Sequence, residues 1–286
     1  MLRPLQQHSH FADCLRAAGR EVVETPDGYM LQRRFAGLTL GLVSRGSEAM
    51  MRAPAPRGMT VIFNAETEMA QTARARGYFA RHPAAEVAEW DISKAEPALR
   101  AGLRKTWRHG LAKAEASGLK LALTQMPPTP DHWVLMAEQA QARARRYRAL
   151  PLWITRAWAT LHPKDAVLIE ARLRGDLVAG MVFLRHGDVA TYHVSHTTDA
   201  GKAAEAHRLM LWRAAAHFAQ RGVVRMDLGL VDHAQSEGLA RFKLGTGAVG
   251  RALGGTYLLL PGLSALKRGV SGGHAKPRPK LDRGSV

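Results

Sequence analysis

The chain has 286 residues, of which 46% are hydrophobic and 23% charged, so it can build one large or two ordinary folded domains. Its net charge of +17 favours polyanionic partners such as RNA, anionic lipid headgroups or pyrophosphate-bearing substrates, although an arginine-rich composition alone would give the same value. The single cysteine, Cys14, excludes an internal disulfide framework and a thiolate metal cluster, and we predict no metal site. No run approaches the ~18 apolar residues of a membrane span, so we expect a soluble, cytoplasmic protein without a transmembrane segment.

The first half of the chain begins with strands. Residues 20–45 alternate apolar and polar positions around Asp27-Gly28, which predicts a hairpin or meander. Further strands are predicted at residues 59–64 and 88–92, with a helix at 66–77 between them. A long helix is predicted over residues 96–118, because four apolar side chains spaced four apart share one face: Leu99, Leu103, Trp107 and Leu111.

A proline-rich segment, Met126 to Pro130, marks the internal boundary of the chain, after a strand predicted at residues 119–124. Beyond it the predicted order is helix, helix, three strands, helix, strand, helix and strand. The three consecutive strands are joined by Gly175-Asp176 and Gly187-Asp188, which predict tight antiparallel turns. The corresponding ranges are 131–147, 152–161, 166–174, 177–185, 189–197, 203–220, 223–228, 236–244 and 256–260.

This order resembles the GNAT acyltransferase fold, in which the fourth and fifth strands are parallel and part to admit an acyl donor. The resemblance implies that residues 189–197 and 223–228 are those two strands. Four strings resemble Fem-type proteins, the peptidoglycan aminoacyl-ligases and their relatives: WRHGLAKAEASGL at 107–119, RMDLG at 225–229, GLARFKLGTG at 238–247, and GYF with EWDI at 77–79 and 89–92.

The resemblance implies a mixed α/β (α+β) fold of two tandem GNAT-like halves, the second complete and the first abbreviated. We expect an N-terminal half at residues 1–125, a C-terminal acyltransferase half at 126–262, and a basic flexible tail at 263–286. The tail prediction follows from six basic residues and one acid from Lys267 onward.

Two residues lead the catalytic predictions. Lys243 matches the family lysine that stabilises negative charge on the donor or in the transition state, the alternative being a solvated lysine on a short helix. Asp227 lies at a strand end facing the expected cleft, where its carboxylate could accept the amine proton or orient the acceptor. A capping role for Asp227 is the open alternative.

The fourth strand of the second half adds three polar candidates. Strict alternation would place His193 and Ser195 on one face and Tyr192 and His196 on the other. Because one face borders the donor gap, we assign His193 as a candidate catalytic base, and Ser195 and His196 as candidate donor-binding residues. Histidines satisfied within the core are the alternative.

The donor-binding prediction also includes Lys202 and Phe242. CoA-dependent GNAT enzymes place a glycine-containing loop before the long helix to hold pyrophosphate. Residues 201–209 of this chain, GKAAEAHRL, lack those glycines and bring in Glu205. The co-substrate is therefore either acyl-CoA or aminoacyl-tRNA, with no tightly bound cofactor.

Arg104 and Arg108 are candidate residues for binding the acceptor or a phosphate, a solvated helix face being the alternative. The resemblance implies transfer of an acyl or aminoacyl group to an amine acceptor, such as a cell-wall or lipid precursor, with peripheral contact to anionic membrane. The competing hypothesis is an inactive GNAT scaffold that binds RNA or anionic membrane through its basic surface.

Overall fold

The computed structural model describes residues 2–145, 150–234 and 236–261. The predicted tail at 263–286 and the end of the helix predicted over 131–147 lie outside these ranges. Within them the chain forms two mixed sheets with helices, in the GNAT-like α/β arrangement expected from the sequence. None of the helices in these ranges is long and apolar enough to span a bilayer.

The first sheet has the strand order β1-β2-β3-β4-β13-β5. Helices α2 (Glu48–Arg52) and α3 (Ala70–Ala75) accompany it, and a core rich in methionine and aromatic side chains fills one of its faces. Its strands are β1 (Glu21–Thr25), β2 (Gly28–Phe35), β3 (Leu38–Gly46), β4 (Met59–Ala65), β5 (Phe79–His82) and β13 (Gly255–Leu259).

The second sheet has the order β12-β6-β11-β10-β9-β8-β7. Its strands are β6 (Glu86–Asp91), β7 (Lys120–Gln125), β8 (Ala166–Leu173), β9 (Asp176–His186), β10 (Val189–Thr197), β11 (Arg225–Val231) and β12 (Val249–Ala252). Two hydrophobic clusters fill its two faces. One cluster includes side chains of α4 (Glu96–Gly102), α5 (Lys105–Ala116), α9 (Ala206–Ala219) and α10 (Glu237–Leu244). The other includes side chains of α1 (Ser9–Ala17), α6 (Trp133–Arg145) and α7 (Leu152–Leu161).

The two sheets exchange strands along the chain. β6 precedes the proline-rich segment but pairs with β11 and β12 of the second sheet, whereas β13 closes the first sheet between β4 and β5. Sheet membership therefore does not change at a single position, and the division at residues 125/126 stays a prediction about domains.

The predicted meander in the second half is confirmed. Leu173 pairs with Asp176, and His186 pairs with Val189, so each turn contains two residues. Gly175 and Gly187 adopt φ of +97° and +64°, a conformation that glycine reaches without steric cost. These turns bring β8, β9 and β10 together as consecutive antiparallel neighbours.

The single helix predicted over residues 96–118 is wrong. Helix α4 ends at Gly102, and α5 begins at Lys105 after Leu103 and Arg104 adopt extended backbone conformations. The Arg104 N–H donates to the Gly245 carbonyl at 2.9 Å, a tertiary hydrogen bond that stabilises the interruption. The shared apolar face survives the break, since all four of its predicted members are buried.

The helix predicted over residues 203–220 is confirmed as α9, which begins at Ala206. A short helix α8 (Asp199–Ala203) precedes α9, and Glu205 between them has φ of +56°. A left-handed conformation at a residue other than glycine is uncommon, and the glycine-poor sequence here gives no signal for it. The break sets α8 against the start of α9, where the expected donor site lies.

Candidate active site

Strands β10 and β11 part after a short parallel contact. Residues 189–191 pair with residues 225–227, ending at Thr191 and Asp227. Beyond that point β10 stays paired with β9 as far as Thr197, while β11 shifts its register against β6 between Asp227 and Leu230. The sequence prediction that these two strands separate is therefore confirmed, and the gap opens toward α9 and α10.

A β-bulge in β10 changes which side chains face the gap. The register against β9 shifts between Tyr192 and Val194. As a result the Tyr192 hydroxyl contacts Ser195 Oγ, whereas His193 bonds Thr155 of α7 and His196 packs against Trp133 of α6. The prediction of strict alternation, which placed His193 and Ser195 on one face, is wrong. The residue inserted at the bulge moves the side chains that follow it to the opposite face of the sheet.

An open cleft of about 170 Å³ lies at the start of α9. Two residues predicted to bind the donor, Lys202 and Phe242, line it, together with Thr197, Gly201, Glu205, Ala206, His207 and Arg208. His196 reaches the cleft wall through its backbone, because its carbonyl accepts from His207 Nε2 at 3.1 Å. Burial lowers the pKa of His207 to about 4, so its ring is neutral at physiological pH.

The cleft contains an ion pair at the position where CoA-dependent GNAT enzymes have a glycine-containing loop. The Glu205 carboxylate contacts the Arg208 guanidinium, and the Arg208 side chain passes so close to Gly110 that a Cβ there would lie 2.8 Å from its Cδ. Arg208 Nε is buried with no hydrogen-bond partner among the described residues. This wall therefore carries an internal ion pair and lacks the glycine loop that holds pyrophosphate.

Lys243 is buried next to the gap. Its side chain is only 6% exposed, which rules out a solvated lysine, and its Nζ donates to the Leu230 carbonyl at 2.7 Å. Burial lowers the pKa of Lys243 to about 8, although the nearby Asp227 carboxylate opposes the shift. A protonated amine is thus held beside the segment where β11 leaves its neighbours.

Asp227 belongs to a buried ion cluster. Its carboxylate contacts the Arg45 guanidinium and accepts from the Gly229 N–H at 2.8 Å. Burial alone would raise the pKa of Asp227, but Arg45, the Gly229 N–H and Arg225 together hold it below its ordinary value. Such a carboxylate accepts a proton poorly, so the geometry favours an orienting role over that of a general base.

The ion cluster joins both sheets. Arg45 at the end of β3 bonds Glu66 at 2.6 Å, and Arg251 of β12 bonds both Glu66 and Glu89. Glu89 also lies 3.3 Å from Arg225. Sequence reasoning missed this cluster, because Arg45 and Asp227 are 182 positions apart and no local pattern connects them.

His193 occupies a polar niche on the α7 side of the sheet. Its Nε2 lies 2.7 Å from Thr155 Oγ1, and burial lowers its pKa to about 4. The ring is therefore neutral near pH 7. The contact with fully buried Thr155 supports an anchoring role for the bulge residue.

Arg104, directly before α5, and Arg108, on α5, are both exposed. The helix itself is fixed beside the cleft, since Trp107 Nε1 donates to the Phe242 carbonyl at 3.0 Å. Arg108 Nη2 makes one long contact, 3.4 Å, with the Leu103 carbonyl. Both arginines are thus available to solvent on a helix that packs against the cleft wall, and phosphate binding by them stays a prediction.

Comparison with models of known protein families assigns the chain to one of them. The model for the acetyltransferase (GNAT) domain matches residues 99–244, which include α5, the parting strands, α9 and Lys243. The protein belongs to this family, and its class is acyltransferase. No curated protein matches the sequence at a significant level.

The fold of the chain as a whole is similar to that of FemX, in agreement with the Fem-type branch of the GNAT superfamily. The crystal structure of FemX superposes with a TM-score of 0.73 at 12% identity, covering 93% of this chain and 94% of that one. A putative lysylphosphatidylglycerol synthetase C-terminal domain from Agrobacterium fabrum gives 0.54 at 13% identity, over 93% and 91% of the two chains. The L-PGS structure from Bacillus licheniformis gives 0.51 at 11% identity, over 95% and 96%. At these identities the similarity establishes the fold.

Proposed function

We propose that the protein transfers an aminoacyl group from aminoacyl-tRNA to an amine acceptor, in the gap between β10 and β11. The observation that carries this proposal is the separation of the two strands after Thr191 and Asp227. Lys243 is buried beside β11, and its neighbour Phe242 lines an open cleft. A carbonyl group entering the gap would meet a fixed positive charge and the two strand edges that no longer pair with each other.

The transfer step needs charge stabilisation more than a strong base. When the amine attacks the ester carbonyl, the carbonyl oxygen becomes negative, and fixed donors near it lower the barrier by about 3 kcal/mol each. The Lys243 ammonium is such a donor, and its burial strengthens its interaction with a developing negative charge. Asp227 holds β11 in place where its pairing with β10 ends, through Arg45 and the Gly229 N–H.

The cleft chemistry favours an aminoacyl-tRNA over an acyl-CoA. The glycine loop is replaced by GKAAEAHRL, and the Arg208 guanidinium in the cleft is already paired with the Glu205 carboxylate instead of being free to hold a pyrophosphate. The net charge of +17 suits the tRNA backbone. Acyl-CoA is the alternative donor, supported by the match to the acetyltransferase domain.

The acceptor is proposed by class only. The solved structures of similar fold include FemX and a putative lysylphosphatidylglycerol synthetase, a name that specifies a lipid product. That name suggests an amine on a lipid precursor as the acceptor of this chain, and the resemblance of its motifs to peptidoglycan aminoacyl-ligases suggests an amine on a cell-wall precursor. Arg104 and Arg108, exposed at the start of α5, are proposed to hold the phosphate of the acceptor.

The donor is tested by melting temperature and by transfer of label to a panel of amines, with the full chain. A higher melting temperature and transfer of label with charged tRNA would support the proposal. A higher melting temperature with acyl-CoA alone would show that acyl-CoA is the donor. Lys202→Glu in the cleft should weaken donor binding, whereas Lys164→Glu, an exposed control outside the cleft lining, should not. Binding to any polyanion without transfer from either donor would identify an inactive scaffold.

A further inference from the structure

One face of the first sheet carries an apolar row in register across five strands. Leu31 pairs with Leu42, Leu42 with Ile62, Ile62 with Leu258, and Leu258 with Phe79. Leu31 packs against a hydrophobic cluster of the second sheet, so the row is covered at that end. Toward the other end it reaches solvent, since Ile62 and Phe79 are 39% and 41% exposed.

The same face continues to the tip of the β2–β3 hairpin. Phe35 and Leu38 pair directly across the two strands, which places both side chains on one side of the hairpin. They are 74% and 57% exposed, and the turn between them, Ala36-Gly37, has positive φ at both residues. A projecting aromatic–aliphatic pair of this exposure is unusual on a protein surface without a partner.

Positive charge surrounds this tip. Arg33 and Arg34 precede Phe35 and are exposed, and exposed Arg57 lies close by, because the register of Thr39 with Met59 brings the start of β4 next to the turn. Residues 31–40 and 53–60 contain no acid. Glu21 is the acidic neighbour, 3.8 Å from Arg34 across the first hairpin.

We propose that this hairpin tip docks the protein onto an anionic bilayer. Phe35 and Leu38 enter the interface between headgroups and acyl chains, and the arginines remain at headgroup level, where the anionic surface attracts them. A bilayer fits these observations better than a folded partner, since the apolar pair projects from a strand turn with cations directly behind it. The apolar row behind the tip then lies near the membrane surface.

The proposal is tested by co-sedimentation of the full chain with vesicles of phosphatidylcholine, with and without phosphatidylglycerol. The wild-type chain should bind the mixed vesicles and not the neutral ones. Phe35→Ser with Leu38→Ser should weaken that binding by at least about tenfold, and Arg33→Gln or Arg34→Gln by about fivefold each. A matched pair of exposed apolar residues, Val249→Ser with Leu239→Ser, should leave it unchanged.

A probe at the tip tests insertion directly. Ala36→Cys can be labelled with a polarity-sensitive fluorophore, because the native thiol, Cys14, is fully buried. Its emission should shift to the blue with mixed vesicles. Unchanged binding of the Phe35/Leu38 variant, or an unshifted probe, would overturn the proposal, since the basic tail or another surface would then account for binding. If the Phe35/Leu38 variant lost binding to single-stranded RNA as much as binding to vesicles, RNA would be the partner of the hairpin tip. That result would also overturn the proposal.

Discussion

The guanidinium of Arg45, on the first sheet, contacts the carboxylate of Asp227, on the second. Both side chains are largely withdrawn from water, with exposed fractions of 12% and 2%. The contact holds β11 at the position where it leaves β10. The geometry of the proposed transfer site therefore depends on a residue of the other sheet.

Removing Arg45 should destabilise the protein strongly. Arg45→Ala would leave the carboxylates of Asp227 and Glu66 buried without their shared partner, and breaking a buried pair in this way lowers the free energy of unfolding by about 3–5 kcal/mol. Denaturant titration measures the effect. Arg52→Ala removes an exposed pair with Glu48 and should change the same quantity by no more than about 1 kcal/mol. Equal effects of the two variants would show that the cluster contributes little.

Two glycines near helix ends should respond oppositely to alanine. A Cβ at Gly201 would lie 2.5 Å from the Val178 carbonyl oxygen and collide with Thr197, so Gly201→Ala should destabilise the fold by about 1–3 kcal/mol and disturb the cleft. A Cβ at Gly102, the last residue of α4, meets nothing within 4 Å. Gly102→Ala should be neutral or stabilising by up to about 1 kcal/mol. Thermal unfolding of both variants compares them.

Acid should destabilise the protein through a buried histidine. Burial lowers the pKa of His186 to about 3 from an ordinary value of 6.5, so the unfolded chain binds more protons between those values. Its contribution to stability is complete above about pH 6.5 and declines by about 1.4 kcal/mol for each unit of pH below it, as far as the folded pKa. His186→Gln should flatten the dependence of unfolding free energy on pH in that window. His109→Gln, at an exposed position, should retain the wild-type slope.

The strands that form the gap were predictable because their signals are local. Gly175 and Gly187 mark the two-residue turns 174–175 and 187–188, and a helix between β10 and β11 specifies a parallel crossover. The break at Arg104 was not predictable, since its N–H bonds the carbonyl of Gly245, far along the chain. The left-handed conformation of Glu205 was not predictable either, since no glycine marks that position. Helix α1 was also missed, because its apolar face is completed by α7 from far along the chain.

Some residues of the candidate site were likewise predictable from the sequence and others were not. Lys243, Lys202 and Phe242 were found through a motif, and the structure places Lys243 beside the gap and the other two on the cleft wall. The bulge at His193 has no signature in the sequence, so the side chains of β10 were assigned to the wrong faces. Arg45 could not be found at all, because a buried ion pair between distant strands leaves no periodic pattern.

Transfer by the Lys243→Met variant tests the central claim most directly. Methionine keeps the buried volume without the charge, so the fold should be retained while the single-turnover transfer rate falls by about 10²–10³-fold. Since the pKa of Lys243 is lowered to about 8, the wild-type rate should also decline as the pH rises through that value, and the variant should lack this decline. Near-wild-type transfer by a folded Lys243→Met protein, with an unchanged pH profile, would contradict the account.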